Sequence, residues 1–260
     1  MSIYQHFRDE EKIFINHVLG WQSHVQDYYS SKLTSFLDPR EQQIVMSVIG
    51  QNDECRIAME GGHENAERKR VLLYPAYMEP GKEDFQLALL EISTNTKFHS
   101  LKHSQVLGTL MSLGIDREKF GDILISEGRI QIVLAEEIAA YVIANVEKIG
   151  QAGVSLARVN LSRAIETAND WQHASATSSS LRIDAILSSM TSLSRSKAQD
   201  FIKGGKVKVN HVLVDQNDFE CGQGDLISIR GLGRFQIVEI GGKTKKDNWK
   251  LTIGKQKNEN

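Results

Sequence analysis

The sequence predicts an α+β protein of about two domains, in which a basic C-terminal part follows an acidic first part. Of the 260 residues, 40% are hydrophobic and 25% are charged, which is typical of a folded globular chain. Apolar residues recur with helical and strand periods in alternation, as in a mixed fold. The segment 181–260 carries 14 Lys and Arg against 9 Asp and Glu, whereas 1–180 carries 17 against 24. Such asymmetry suggests a polyanion-binding part joined to an ordinary globular part.

We expect residues 1–70 to form a mostly helical region. Its clearest helix is DPREQQIVMSVIG, where Asp38 can cap the first turn, Pro39 suits the first helical position and Glu41 completes a capping box. The apolar face of that helix is formed by Ile44, Val45, Val48 and Ile49. The segments CRIAMEGG and RKRVLLYPAY then predict two strands around a polar turn.

Residues 71–165 predict a ferredoxin-like middle domain. The strands FQLALLEIS, FGDILIS, RIQIVLA and VSLARVNL alternate with the helices KHSQVLGTLMSLGI and AEEIAAYVIANVEKI. The resulting order, strand-helix-strand-strand-helix-strand, is that of a split βαβ layer. Residues 166–180, which include TANDWQHASATSSS, have the Ser-, Thr- and Ala-rich composition of a linker.

Residues 181–245 predict a small final domain, and 246–260 predict a basic tail. Spacing of i, i+3, i+4 and i+7 makes the first helix of this domain amphipathic, with a buried face of Ile183, Ile186, Leu187 and Met190. Ser194 is a candidate N-cap for a second helix, which Gly204 and Gly205 would end. The segment KVKVN then predicts a strand whose valines point inward and whose lysines point outward.

The region 181–210 concentrates six Lys and Arg against two acids, and this is the main functional signal in the chain. Its helices and strand use their apolar positions for the core, so the cations fall on surfaces that the core does not use. Hydroxyls and free amides at the start of the second helix would also favour anions. The pattern indicates phosphate binding, with a solvated charged face as the alternative. The candidate RNA-binding residues, later cations included, are Arg182, Ser194, Arg195, Ser196, Lys197, Lys203, Lys206, Lys208, Arg230, Arg234, Lys243, Lys245 and Lys246.

A series of short motifs falls in order along the final domain: LRID from Leu181, SRSKA from Ser194, GKVKVN from Gly205, and Gly224-Asp225. Together they resemble the α-L RNA-binding domain named after ribosomal protein S-four. One departure is His211, where that family usually has Gly after Asn, and a left-handed His is strained. Arg182 and Arg195 occupy motif positions and are the strongest candidates for phosphate contact. We expect neither to be needed for folding, because other residues form the apolar faces of the helices.

Further stretches extend this resemblance to nearly the full length: GGHENAERKR, LKHSQVLGTLMSLGIDREKFGDI and ISIRGLGRFQIVEIGGKTKK. With them the chain resembles the YlmH family of bacterial cytoplasmic proteins, which are often encoded in cell-division gene clusters. The resemblance implies structured RNA, rRNA or tRNA, as ligand on the ribosome. By analogy with related small proteins it implies large ribosomal subunits stalled with peptidyl-tRNA, and a role in ribosome rescue or quality control.

Other classes of protein are disfavoured by the sequence. Cys55 and Cys221 lie far apart, without CxxC or paired His and Cys spacing, which argues against a disulfide framework or a metal site. The N-terminus lacks the apolar core of a signal peptide, and no run approaches the ~18 apolar residues of a membrane span. We therefore expect a cytoplasmic monomer with no cofactor, no metal and no membrane partner.

Two alternatives to a non-enzymatic RNA-binding factor remain open: an RNA-modifying enzyme with an unrecognised catalytic middle domain, and a cell-division-associated interaction protein. The only R-x-D motif begins at Arg182, inside the binding domain, which argues against a pseudouridine synthase. Trp171 is expected to pack onto a neighbouring domain, with base stacking as the alternative. Residues 67–70, the run ERKR, predict either a second RNA patch or a charged strand edge.

Overall fold

The protein folds into two compact units, residues 1–167 and 168–260. A computed structural model describes residues 7, 11–50, 53–94, 101–166 and 171–256. Helices and strands occur together in both units, so the predicted α+β class is confirmed.

The first part of the first unit is a pair of helices on a small antiparallel sheet. Its elements are α1 (Lys12–Tyr28), β1 (Lys32–Leu37), α2 (Pro39–Ile49), β2 (Cys55–Glu60) and β3 (Lys69–Pro75), with sheet order β1-β3-β2. Helix α2 begins as predicted, because the Asp38 carboxylate accepts from the Glu41 amide at 2.9 Å and Glu41 accepts from the Asp38 amide at 2.7 Å. The predicted boundary at residue 70 is too early, since β3 crosses it as the central strand.

The middle of the chain has the predicted ferredoxin-like order. Its elements are β4 (Leu87–Thr94), α3 (His103–Ser112), β5 (Phe120–Ser126), β6 (Arg129–Ala135), α4 (Glu136–Asn145), β7 (Lys148–Ile149) and β8 (Ala152–Val159). The antiparallel sheet runs β5-β6-β4-β8-β7, so the first and third strands of the motif are central and the short β7 adds an edge.

The ferredoxin-like sheet is buried on both faces. One face packs on α3 and α4 through a cluster that includes Leu90, Ile132, Leu110 and Val142. The opposite face shares a cluster with the N-terminal sheet, through Leu89, Val133, Phe36 and Leu72. Because this second cluster joins both sheets, the N-terminal region and the middle domain form one unit.

The second unit is a six-stranded antiparallel sheet with two helices on one face. Its elements are β9 (Trp171–Ser178), α5 (Ile183–Met190), α6 (Arg195–Lys203), β10 (Val207–Val209), β11 (Val212–Leu213), β12 (Leu226–Ile229), β13 (Gly233–Lys243) and β14 (Trp249–Gln256). The strand order is β11-β10-β12-β13-β14-β9. The helices pack on the sheet through a core that includes Ile186, Ile202, Val207, Ile227 and Ile253.

The predicted linker at 166–180 and the predicted basic tail at 246–260 differ from this structure. Strands β9 and β14 pair with each other over eight residues each and complete the sheet. The composition of β9 resembles a linker because an exposed edge strand has little apolar surface to bury, whereas β14 buries Leu251 and Ile253. Residues 167–170 and 257–260, which fall within those two predictions, lie outside the described residues.

The turn between β10 and β11 contains the residue that departs from the motif. Asn210 and His211 both have left-handed backbones, with φ of 49° and 68°, as a two-residue hairpin turn requires. The Asn210 side chain accepts from the Leu226 amide and donates to Asp225, both at 2.9 Å. The turn geometry is therefore kept with His in place of Gly.

Candidate nucleic-acid interface

A buried carboxylate lies beneath the two strongest candidate arginines. Asp184, in the first turn of α5, has a side chain that is 0% exposed. Its oxygens accept from Arg195 Nε and Nη2 at 3.1 and 3.2 Å, and from Gln199 Nε2 at 2.9 Å. Arg182, at the N-cap position of α5, donates to the same carboxylate at 3.3 and 3.5 Å. We call these four residues the Asp184 cluster.

The sequence builds this cluster from local helix geometry. Arg195 and Gln199 are four residues apart and therefore lie in one row on α6. This row borders the buried face formed by Ala198 and Ile202, so it faces the start of α5, where Asp184 lies. Because the two helices pack side by side, three side chains, those of Arg182, Arg195 and Gln199, donate hydrogen bonds to one carboxylate.

The electrostatics of the cluster keep Asp184 ionised. Burial raises the pKa of the Asp184 carboxyl, but hydrogen bonds from Arg195, Gln199 and Arg182 lower it by more, to about 2. The arginine side chains remain 41% exposed at Arg182 and 50% exposed at Arg195. A guanidinium has five N–H donors, and each arginine uses two nitrogens on Asp184, so the outer edges face solvent. The cluster therefore presents two oriented guanidinium groups at the surface.

The structure argues against the expectation that Arg182 and Arg195 are dispensable for folding, because both pair with the buried Asp184. A carboxylate taken out of water must be paired, and these two side chains supply both of its cationic partners. Without them Asp184 would keep only the neutral Gln199 among its side-chain partners in the described structure. One edge of each guanidinium group thus binds Asp184, and the other edge is available to a ligand.

The remaining cations near α6 lie on both of its flanks. Lys203 is four residues beyond Gln199 and continues the row of the Asp184 cluster. Lys197 and Phe201 form another row, and Lys206 Nζ lies 5.1 Å from the centre of the Phe201 ring. Lys206 O also accepts from the Arg230 amide at 2.9 Å, which fixes the loop that carries Arg230.

The two candidate serines begin the same helix. Ser194 Oγ accepts from the Lys197 amide at 3.4 Å and is the N-cap of α6, as predicted. Its hydroxyl therefore has a structural role at the helix start. Ser196 is exposed in the first turn.

The other candidate cations lie on the sheet or on its longest hairpin. Val207 and Val209 are buried, so Lys208 between them points away from the helices. Lys208 pairs with Ser228 and Ser228 pairs with Arg234, so Arg234 lies on the same face of the sheet. At the β13–β14 turn, Lys243 Nζ forms an ion pair with Asp247 Oδ1 at 3.0 Å and lies 5.2 Å from the centre of the Trp249 ring. Lys245 and Lys246, in the same turn, are exposed. The thirteen predicted residues thus occupy several surfaces instead of one.

The ERKR run is not a charged edge, because β3 is a central strand, and both of its arginines have structural roles. Arg70 is 6% exposed and donates to the carbonyl oxygens of Thr34 at 2.8 Å, Phe85 at 3.3 Å and Gln86 at 3.1 Å. Arg68 donates to Phe36 O at 2.7 Å. Both arginines join the N-terminal sheet to its surroundings through backbone carbonyls. Sequence reasoning missed this because β3 is a central strand, and only the fold reveals that.

A second carboxylate with several hydrogen-bond donors, 17% exposed, lies in the first unit. Asp122, on β5, accepts from the amides of Glu67 at 2.7 Å and Arg68 at 3.2 Å, and pairs with His63 Nε2 at 3.1 Å. Burial raises the pKa of Asp122, and the bonds from His63 and the two amides outweigh it, so the pKa is lowered overall. The His63 side chain is 7% exposed and that of Asp122 is 17% exposed, so the group is largely shielded from solvent. It holds the 61–68 loop against the ferredoxin-like sheet.

The two thiols in the described part of the chain are buried and form little thiolate at neutral pH. Burial raises the pKa of the Cys55 thiol, and burial with the nearby Asp225 raises the pKa of Cys221 to about 12. Among the described residues, no three His, Cys, Asp or Glu side chains cluster in a way that would hold a metal ion. The described helices are also too short or too polar to cross a membrane.

Comparison with known families matches all three parts of the chain. The model of the N-terminal domain of YlmH matches residues 10–78, the model described as "Putative RNA-binding domain in YlmH" matches 80–163, and the S4 domain model matches 181–227. The chain is 44% identical to the "Ribosome-associated protein quality control protein P2" of Bacillus subtilis over 256 residues, or 98% of this chain and 99% of that protein. It is 34% identical to the solved "Cell division protein ylmH from Streptococcus pneumoniae", with a TM-score of 0.55, over 64% of this chain and 100% of that one.

Proposed function

The chain belongs to the YlmH family, and we propose that it is a non-enzymatic RNA-binding factor that acts on the ribosome. The Asp184 cluster is the observation that carries this proposal. It holds two arginines in fixed orientations while leaving about half of each side chain exposed. Phosphate groups of structured RNA are the ligands that such guanidinium groups fit.

The fit to phosphate is chemical as well as electrostatic. A guanidinium makes two parallel hydrogen bonds to one phosphate, which an ammonium cannot do. Because Asp184 already restricts Arg182 and Arg195, less side-chain freedom is lost on binding. Lys203 extends the same row of α6, and the net charge of the segment 181–260 favours a polyanion.

We infer the ribosome as the place of binding from the relatives. The Bacillus subtilis relative is named as a ribosome-associated quality control protein, and it aligns over nearly all of both chains. The resemblance to small proteins with the same RNA-binding domain supports a finer proposal: the ligand is the large subunit stalled with peptidyl-tRNA, and the protein acts there as a cytoplasmic monomer. Both rRNA and tRNA would then supply phosphates.

The absence of catalysis is part of the proposal. In the described middle domain, the carboxylate of Asp122 is occupied by His63 and by two backbone amides, so it is poorly placed to move protons on a substrate. The solved relative is named for cell division. No side-chain arrangement among the described residues favours a division partner over RNA.

A salt titration with the full-length protein and purified tRNA tests phosphate-led binding. If about five phosphates are contacted, log K should fall with log salt with a slope of roughly −3.5 to −4.5. A flat response would contradict the proposal. Incubation with total rRNA and tRNA, followed by mass spectrometry of nucleosides, should show no new modification, and a modified nucleoside would favour the enzyme alternative.

A further inference from the structure

We propose that the sheet face of the second unit that points away from α5 and α6 binds an unpaired stretch of RNA. The site rests on the proposed function, because it takes a further part of the same kind of ligand. We call it the outer sheet face, and its residues are Lys208, Arg234, Gln236, Gly254, Trp171 and His173. Most of it lies outside the segment 181–227 that matches the S4 domain.

The strand register places two rows of these residues side by side. In the first row, Lys208 pairs with Ser228 and Ser228 pairs with Arg234, while Trp171 lies farther along, opposite Gln256. In the second row, Gln236 pairs with Gly254 and Gly254 pairs with His173. Residues directly opposite each other in a sheet share a face, so each row crosses the sheet on one side.

The same register shows that this side is opposite the helices. Val207, Val209, Ile237 and Ile253 alternate with the residues of the two rows and are buried in the cluster that includes α5 and α6. The outer sheet face is therefore separate from the Asp184 cluster. An RNA that contacts the helices would need a second segment to reach this face.

Two aromatic rings and the Val238 side chain cover Gly254 at the β9 end of the face. Trp171 and His173 are two residues apart on the edge strand, so their side chains project on the same side. Gly254 lies beneath both rings, because a Cβ atom built on it would be 3.2 Å from Trp171 Cε3 and 3.4 Å from His173 Cδ2. Glycine in a strand allows such close approach. The His173 side chain is exposed and Trp171 is half-buried.

The charges of the face complement RNA. The two rows contain the cations Lys208 and Arg234 and no acid, and the first acid along β13 in the next row is Glu239. Cations at one end and aromatic rings at the other are what a single strand of RNA needs, since the backbone follows the charges and the bases stack on rings. Base pairs inside a duplex are stacked on both sides and expose no ring face to Trp171. This combination favours an unpaired strand over a duplex.

The test compares two RNA hairpins with the same stem and the same short structured loop, one with a blunt end and one with a 3′ overhang of about six unpaired nucleotides. We expect the full-length protein to bind the hairpin with the overhang more tightly. Trp171→Ala should weaken that complex about tenfold, the loss expected for one stacked base, and leave the blunt complex unchanged. Because a stacking residue neutralises no phosphate, the salt slope should stay the same, whereas Lys208→Ala should reduce the slope by about one.

Matched variants separate stacking from a general effect on the fold. Trp171→Phe keeps a ring and should retain most of the affinity, and Gln172→Ala, on the same strand but the opposite face, should bind as the wild type does. His173→Ala should weaken only the complex with the overhang hairpin. Because His173 is exposed, this variant still tests the site if Trp171→Ala does not fold. Equal binding of the overhang hairpin by wild type, Trp171→Ala and His173→Ala would overturn this site and leave the Asp184 cluster intact. If the wild type binds neither hairpin, the proposed function fails, and this site fails with it.

Discussion

Asp122 in the first unit and Asp184 in the second each accept several hydrogen bonds away from bulk solvent, and the two carboxylates serve different ends. Asp122 in the first unit pairs with backbone amides and the enclosed His63. Asp184 in the second unit pairs mainly with Arg182 and Arg195, which are half-exposed. Both sites lower the pKa of the acid, so the pKa alone does not distinguish them.

The distinction lies in what the partners offer to solvent. The donors around Asp122 are two backbone amides and a His63 side chain that is 7% exposed, so they offer little to a ligand and hold a loop in place. The donors around Asp184 have further N–H groups pointing outward, so that group can also orient a ligand. In this pair of sites, the carboxylate with half-exposed arginines is the candidate binding surface, and the other is structural.

The largest effect on stability is expected from Asp122→Ala. It would leave two buried amides and His63 without their acceptor, and one such loss is worth about 1–3 kcal/mol. We expect the free energy of unfolding of the first unit to fall by about 3 kcal/mol, measured by urea denaturation. The affinity of the folded variant for RNA should be unchanged. The control is Glu64→Gln, an exposed acid in the same loop, which should have little effect; weaker RNA binding by folded Asp122→Ala would contradict the distinction.

Substitution of both arginines should affect binding and stability together. The double variant Arg182→Ala with Arg195→Ala loses two charge-assisted contacts to phosphate, each worth about 1.5–3 kcal/mol, so affinity should fall at least about one hundredfold if the losses add. Its melting temperature should also fall, because Asp184 would be buried without a cation. Filter binding and thermal unfolding measure the two effects. An unchanged melting temperature would show that Asp184 is not held by these arginines.

The loss of folding stability at low pH should report the contribution of Asp184. Its folded pKa of about 2 lies below the ordinary value of 3.8, so the stabilisation is complete above about pH 4 and is lost as pH falls toward 2. The shift corresponds to about 2 kcal/mol. Asp122 acts in the same direction, so the wild type should be compared with Asp184→Asn in urea unfolding at each pH. An identical acid dependence in the two proteins would contradict the assignment.

The smallest effect on RNA binding is expected from chemical modification of the two cysteines. Burial raises the pKa of both Cys55 and Cys221, so little thiolate forms at neutral pH. Alkylation with iodoacetamide should therefore be slow in the folded protein and fast in urea, as followed by mass spectrometry. RNA affinity should not change after mild treatment. Rapid modification of either cysteine in the native protein would show that its unit opens readily.

Local signals in the sequence predicted the elements that depend on local chemistry. The capping box of α2, the amphipathic spacing of α5, the Ser194 cap of α6 and the order of the ferredoxin-like strands are all present in the structure. Each is determined by residues within a few positions of one another. The family resemblance was likewise confirmed by the matched domains.

The features that the sequence did not reveal depend on distant contacts. β9 has the composition of a linker and becomes a strand only because β14, more than seventy residues later, pairs with it. Asp184 is one acid in an apolar helix, and its role becomes clear only when α6 brings Arg195 and Gln199 to it. The R-x-D spacing of Arg182 and Asp184 was a local sign of this pairing. The distance between the two side chains and the burial of Asp184 could be read only from the folded structure.

The most direct test of the central claim is co-sedimentation with ribosomal subunits. Wild-type, Arg195→Ala and Arg40→Ala proteins would be run on sucrose gradients with purified large subunits carrying peptidyl-tRNA, below the melting temperature of each. Arg40 is a matched control, because it makes a comparable two-nitrogen pair with Glu11 in the first unit, at 2.8 and 2.9 Å. We predict that the wild type and Arg40→Ala travel with the large subunit and that folded Arg195→Ala remains at the top. Folded Arg195→Ala travelling with the subunit as the wild type does would contradict the claim that the Asp184 cluster is the RNA-binding site.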